Sequence, residues 1–155
     1  MKILPIRNAF ICLRPTIFGH ETEHVTLEYL GHNVDWMELQ TKFGQWLDTF
    51  GGLPVTVKVN GYGNWVAKED YHSVALIEFV EYPELSYSKN WHITLESSRQ
   101  PIEPRKFDKD ADAFRYDYAD TLWLGYKDEQ GVKGFIEAHK AGTLAKDQKM
   151  KEYYV

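Results

Sequence analysis

Apolar and polar residues alternate along most of this chain with a period of two, the pattern of half-buried strands. The first run is Ala9–Arg14: Phe10, Cys12 and Arg14 fall on one face, Ile11 and Leu13 on the other, and Pro15 ends it. Further runs predict strands at 23–29, at 54–60 with Val55, Val57 and Val59 in phase, at 73–80 as an apolar and central strand, at 91–97 and at 122–126. Phe114–Tyr118 reads as a short strand or turn, and Val132–His139 fits either a strand or a helix start.

The helical period is clearest at Asp35–Phe50. Trp36, Leu39, Phe43, Trp46, Leu47 and Phe50 recur at three- and four-residue steps, the stripe of a helix packed on a sheet. Asp35 with Glu38 resembles a capping box, and Gly51 is the expected stop. Gly19 breaks a loop at 16–23 that carries His20, read as an exposed loop histidine. Asn60-Gly61-Tyr62-Gly63-Asn64 predicts a chain reversal, and it lacks the lysine and Ser/Thr of a phosphate-binding P-loop. His72 is expected just before a strand, as a plain edge residue. Tyr82–Asn90, with Pro83, allows one helical turn at most.

Residues 98–112 contain Pro101 and Pro104 and read as an exposed connection. Arg99, Arg105, Lys106 and Lys109 make it locally positive, which suits a solvated loop or a lid that attracts phosphate. The tail from Ala141 is expected to be a peripheral helix or a frayed end. Strands outnumber helices and no linker interrupts the chain, so the expected fold is α+β in a single domain spanning 1–155.

Composition narrows the function. The 155 residues are 43% hydrophobic and 15% aromatic, enough for a proper core. A net charge of −5 disfavours a long nucleic-acid duplex as partner but leaves room for a small phosphorylated ligand held by local groups. The single cysteine, Cys12, excludes an intrachain disulfide and a thiolate metal cluster within one subunit. No signal peptide or membrane span is expected, and a cytoplasmic setting fits best.

The candidate chemistry comes from a near-repeat. His24-Val25-Thr26-Leu27-Glu28 is answered 68 positions later by His92-Ile93-Thr94-Leu95-Glu96, both on expected strands. Within each copy alternation puts the histidine, the threonine and the glutamate on one face. Each glutamate lies about 13 Å along the strand from its histidine, too far to orient the imidazole, so a salt bridge or a solvated strand end is expected for it. Two imidazoles on either side of one phosphodiester can take a proton from the attacking oxygen and give one to the leaving oxygen. Histidine titrates near 6.5, and the threonine hydroxyls can donate to non-bridging oxygens. The scheme needs no metal and no cofactor. Phe10 and Arg14 on the first strand, and Tyr62 and Trp65 near the glycine-rich segment, are the candidate substrate-binding side chains.

The paired His-x-Thr-hydrophobic motifs at His24/Thr26 and His92/Thr94 resemble those of the 2H phosphoesterase superfamily, which includes 2′,5′ RNA ligase-like proteins and cyclic phosphodiesterases. A strand ending in proline, as at Ala9–Pro15, belongs to the same resemblance, which covers roughly the first two thirds of the chain. It implies a two-lobed fold of pseudo-twofold symmetry, two antiparallel sheets around a central cleft with flanking helices. It also implies His24, Thr26, His92 and Thr94 as the catalytic four. The segment before the second motif is too short for the helix usual in the second lobe, and the chain beyond Asp110 has no counterpart. Size and spacing resemble most the phage-encoded members that cleave cyclic oligonucleotide signals of bacterial defence (anti-CBASS nucleases). Two alternatives stand beside this: action on 2′,3′-cyclic or 2′,5′ RNA ends, and a non-catalytic protein that sequesters a cyclic nucleotide.

Overall fold

A computed structural model describes residues 3–128 and 130–140. Among them are ten strands, two α-helices and one 3-10 turn, so the fold is α+β. The expectation for the tail from Ala141 lies outside the described residues.

The chain forms two compact units. The first takes the chain up to Arg14, Thr26–Pro54 and the chain from Ala119 onward; the second takes Pro15–Val25 and Val55–Tyr118.

In the first unit a sheet has the order β10-β9-β2-β3, built from β2 (Arg7–Leu13), β3 (Val25–Gly31), β9 (Thr121–Lys127) and β10 (Lys133–Lys140). Ile11 faces Leu124, which faces Ile136, and all three are buried. Pairing with β9 settles 133–140 as a strand. A short ladder pairs β1 (Ile3–Leu4) with β4 (Val34–Asp35) and leads directly into α1 (Trp36–Thr49).

The aromatic stripe of α1 buries Leu39 and Phe43 completely, each worth roughly 1.5–3 kcal/mol of apolar burial. The helix ends at Phe50, and Gly51 continues at φ 55 with its N–H donating to the Asp48 carbonyl. The capping box does not form. Asp35 holds the N-cap position and pairs with Ile3 in the β1–β4 ladder, but its side chain makes no capping hydrogen bond.

The second unit has a sheet of order β7-β6-β5-β8, built from β5 (Val55–Ala67), β6 (Asp70–Phe79), β7 (His92–Ser98) and β8 (Tyr116–Ala119). Val57, Val59, Ala75, Ile77, Phe79 and Ile93 pair in register and bury one face. The expected reversal at Asn60–Asn64 is absent: β5 runs straight through it. The glycines there are not at positive φ, and a Cβ on Gly61 would meet the Leu76 side chain at an ordinary contact distance of 3.6 Å. The reversal comes instead at Lys68 and Glu69, both at positive φ (50 and 71). Pro83–Tyr87 forms the single 3-10 turn expected between β6 and β7, and α2 (Lys109–Asp112) ends the long connection.

Candidate functional site

Two β-bulges decide which side chains share a surface in the second unit. In β5, Val59 faces Ile77 and Gly61 faces Leu76, so Asn60 is the extra residue. In β7, Thr94 faces Val74 and Glu96 faces Ser73, so Leu95 is the extra residue. Each bulge reverses the sense of alternation beyond it. Directly opposed residues share a face, so His92, Leu76 and Gly61 lie on one surface. Thr94, Val74 and Gly63 form the next row on it, and Trp65, His72 and Ser97 the row beyond.

Glu96 is thereby turned to the far side of the sheet from His92, against the expectation from simple alternation. It lines a polar cavity of about 620 Å³ there, together with Ser73, Ser98, Ile102, Arg105 and Arg115. Tyr62 also lies on the far side: it pairs with Ala75, and its hydroxyl donates to Asp112 at 2.9 Å. Arg105 stacks over the Tyr62 ring at 5.2 Å, and Asn64 Nδ2 donates to the Ile102 carbonyl at 2.7 Å. The connection is exposed at 99–101 and 103–111, as expected, and these contacts of Ile102, Arg105 and Asp112 anchor it to the face away from His92 rather than over the histidine. Of the two candidates near the glycines, only Trp65 shares the surface of His92, and the rings meet edge to face at 4.6 Å.

The two motif histidines repeat one local device. His24 Nδ1 donates to the Thr22 carbonyl at 2.8 Å, and His92 Nδ1 donates to the Asn90 carbonyl at 3.0 Å. A carbonyl only accepts, so Nδ1 carries the proton in each ring. Nε2 is then a base when the ring is neutral and an acid when it is charged. Burial lowers the pKa of His92 from its ordinary value, aided by the positive charge of Lys89 and by His72, and opposed by the Asn90 carbonyl. His92 is held toward its neutral form.

His24 is the last residue but one of the Pro15–Val25 segment of the second unit, and Thr26 begins the Thr26–Pro54 segment of the first. The loop before His24 is not loose. Glu23 is buried, and its carboxylate accepts from the Ile17 N–H at 2.6 Å and the Phe18 N–H at 2.9 Å. Asp117 accepts from the Thr16 N–H and hydroxyl at 2.8 and 3.0 Å. Neither carboxylate stood out in the sequence, because no local pattern marks it as an acceptor for backbone N–H groups. Glu28 pairs with Lys42 of α1 at 2.9 Å and accepts from Trp46 Nε1 at 3.0 Å, the structural role expected for it.

Phe10 and Arg14 come together in the first unit with two residues the sequence did not single out. The Arg14 guanidinium lies 3.9 Å from the Phe135 ring and 4.8 Å from the Trp123 ring, and Phe10 meets Phe135 edge to face at 6.2 Å. Phe10 is opposite Gly125, where an added Cβ would stand 2.2 Å from its ring. Only the glycine lets the phenyl lie across β9.

Among the described residues no group of three or more His, Cys, Asp or Glu is arranged to hold a metal ion, and no helix is long and apolar enough to cross a membrane. No family model matches the chain, nor does any curated protein.

Proposed function

We propose that this protein is a metal-independent phosphodiesterase of the 2H type, in which His24, Thr26, His92 and Thr94 act on one phosphodiester. The observation that carries the reading is the shared hydrogen bond from Nδ1 to the carbonyl two residues back, at both motif histidines. It presents Nε2 of each ring for proton transfer, as acid–base catalysis at both ends of an in-line displacement requires. His92, biased to the neutral form by burial, is the general base that takes the proton from the attacking oxygen. His24 gives its proton to the leaving oxygen. Thr26 and Thr94 donate to the non-bridging oxygens.

Two four-stranded sheets, one holding Thr26 on β3 and the other His92 and Thr94 on β7, support a two-lobed 2H fold, although both motif histidines fall within the second compact unit. The proposed substrates are cyclic oligonucleotide second messengers, cleaved to counter bacterial defence, inside the host cytoplasm if the chain is phage-encoded. For the nucleotides, Trp65 offers a stacking surface in the second unit, and Arg14 with Trp123 and Phe135 a cationic and aromatic one in the first; Phe10, proposed from the sequence, is buried and only backs Phe135.

The test is incubation with cyclic dinucleotides and with 2′,3′-cyclic nucleotides in the presence of EDTA. Linear products are expected with the former at least. Recovery of intact cyclic dinucleotide from a tight complex would establish sequestration instead. Thr26→Val and Thr94→Val should each slow turnover by less than loss of a histidine, and a rate equal to wild type would remove the phosphate-orienting role.

A further inference from the structure

His72 is not the edge residue its sequence context suggests. It lies within β6, between β5 and β7, directly opposite Trp65 on one side and Ser97 on the other. Its Nδ1 is 2.7 Å from Ser97 Oγ, so Nε2 is the nitrogen the ring presents. His72 shares the surface of His92 by the plain alternation of β6, whereas Ser97 reaches it only because of the bulge at Leu95, and Trp65 lies on it beyond the bulge at Asn60. Without the second bulge, Glu96 would take that place and set a carboxylate where Ser97 now stands.

Position assigns the role. His72 is four residues along β6 from Leu76, the residue opposite His92, which places the two rows about 13 Å apart at the backbone. The two imidazoles therefore stand on separate rows of one surface, near enough for the charge of His72 to bear on His92. The Trp65 side chain springs from the His72 row and reaches back to touch His92, so an indole spans the interval. The order along the surface is imidazole, aromatic ring, imidazole with hydroxyl, which matches phosphate, nucleoside, phosphate.

We propose that His72 and Ser97 form a second phosphate-binding subsite, holding a phosphodiester of a cyclic oligonucleotide that is not the one being cut, with Trp65 beneath the nucleoside between them. The assignment rests on the phosphodiesterase reading for the scissile group. It adds that the surface selects substrates with more than one phosphate. A 2′,3′-cyclic mononucleotide has a single phosphate and cannot fill both positions.

The variants are His72→Asn, which keeps a polar atom near the position of Nδ1 for Ser97 but removes Nε2, and Ser97→Ala. Thermal unfolding confirms that each is folded. Steady-state kinetics are compared on 3′,3′-cyclic di-AMP and on 2′,3′-cyclic AMP, beside equilibrium binding of a phosphorothioate cyclic di-AMP that resists cleavage. Loss of a hydrogen bond to a charged group predicts a KM and a Kd for the dinucleotide raised about 10-fold or more. The constants for the mononucleotide stay at wild-type values. An equal loss on both substrates would make His72 a support of the catalytic centre and overturn the subsite, as would no change on either. If the wild type cleaves neither compound, the phosphodiesterase reading fails, and the phosphorothioate binding alone decides the subsite: equal Kd values for wild type and variants overturn it.

Discussion

Glu96 and His92 stand four residues apart on one strand and face opposite sides of the sheet, because the bulge at Leu95 reverses the alternation between them. The glutamate therefore cannot tune or orient the imidazole, although the near-repeat suggests a common face. Glu96→Gln is expected to leave kcat and KM unchanged. His24→Ala and His92→Ala should each lower kcat by about 10²–10⁴-fold or more while leaving the fold intact. Steady-state rates with far-UV circular dichroism check both, and full activity in either histidine variant removes the mechanism.

The burial of His92 under the edge of Trp65 has a consequence for pH. Its folded pKa is lowered, so the unfolded chain takes up the proton at a higher pH than the folded chain does. The ring thus favours folding above about pH 6.5, and that contribution fades as pH falls from there through the lowered value. A general base must be neutral, so the acidic limb of kcat/KM should fall below about 6.5. A pH–rate profile together with an NMR titration of the His92 ring tests this. Trp65→Ala, which uncovers the imidazole, should move the limb back toward the ordinary value. A limb that stays in place would show that another group sets it.

Gly125 is required by Phe10. A methyl at that position would stand 2.2–2.9 Å from three atoms of the phenyl ring, inside any tolerable contact. Gly125→Ala should displace the ring from Phe135 and cost about 1–3 kcal/mol as an overpacked site. Gly125→Ala/Phe10→Ala should recover part of that loss relative to Phe10→Ala alone. Chemical denaturation of the four proteins forms the cycle. Strictly additive effects would mean that the glycine serves something other than the phenyl ring.

The helix and most strands were legible because their signals are local. The aromatic stripe at 36–50 repeats at helical steps, and the β-branched runs at 54–60 and 91–97 alternate. What escaped was set by pairing between distant segments. Nothing in Asn60 or Leu95 marks an extra residue; the bulges exist because their partners on β6 run without interruption. Alternation alone therefore placed Glu96 on the wrong face and gave no reason to set Ser97 and His72 beside the histidine. Trp123 and Phe135 were hidden for a related reason: their meeting with Arg14 depends on the order β10-β9-β2. The glycines at 61 and 63 misled because glycine usually marks a turn, and here both lie inside a strand, paired with Leu76 and Val74.

The true reversal yields the last prediction. Lys68 and Glu69 link β5 and β6, Ala67 faces Asp70, and both central residues sit at positive φ. Two-residue hairpins favour this geometry because its twist matches that of the strands, but it suits glycine and asparagine. A side-chain-bearing residue there is strained by roughly 1–2 kcal/mol. Neither residue makes an ion pair among the described residues, so the strain has no evident compensation from the side chains. Glu69→Gly relieves it but increases the freedom of the unfolded chain, leaving a net gain of about 0.5–1 kcal/mol. Over a chain of this size that raises Tm by about 1–4 °C. Lys68→Asn with Glu69→Gly should raise it further, and Glu69→Val should lower it, since a β-branched residue tolerates positive φ least. Calorimetry of the three variants reads the order directly; a Tm for Glu69→Gly at or below wild type would mean that the turn is not strained as the dihedral angles imply.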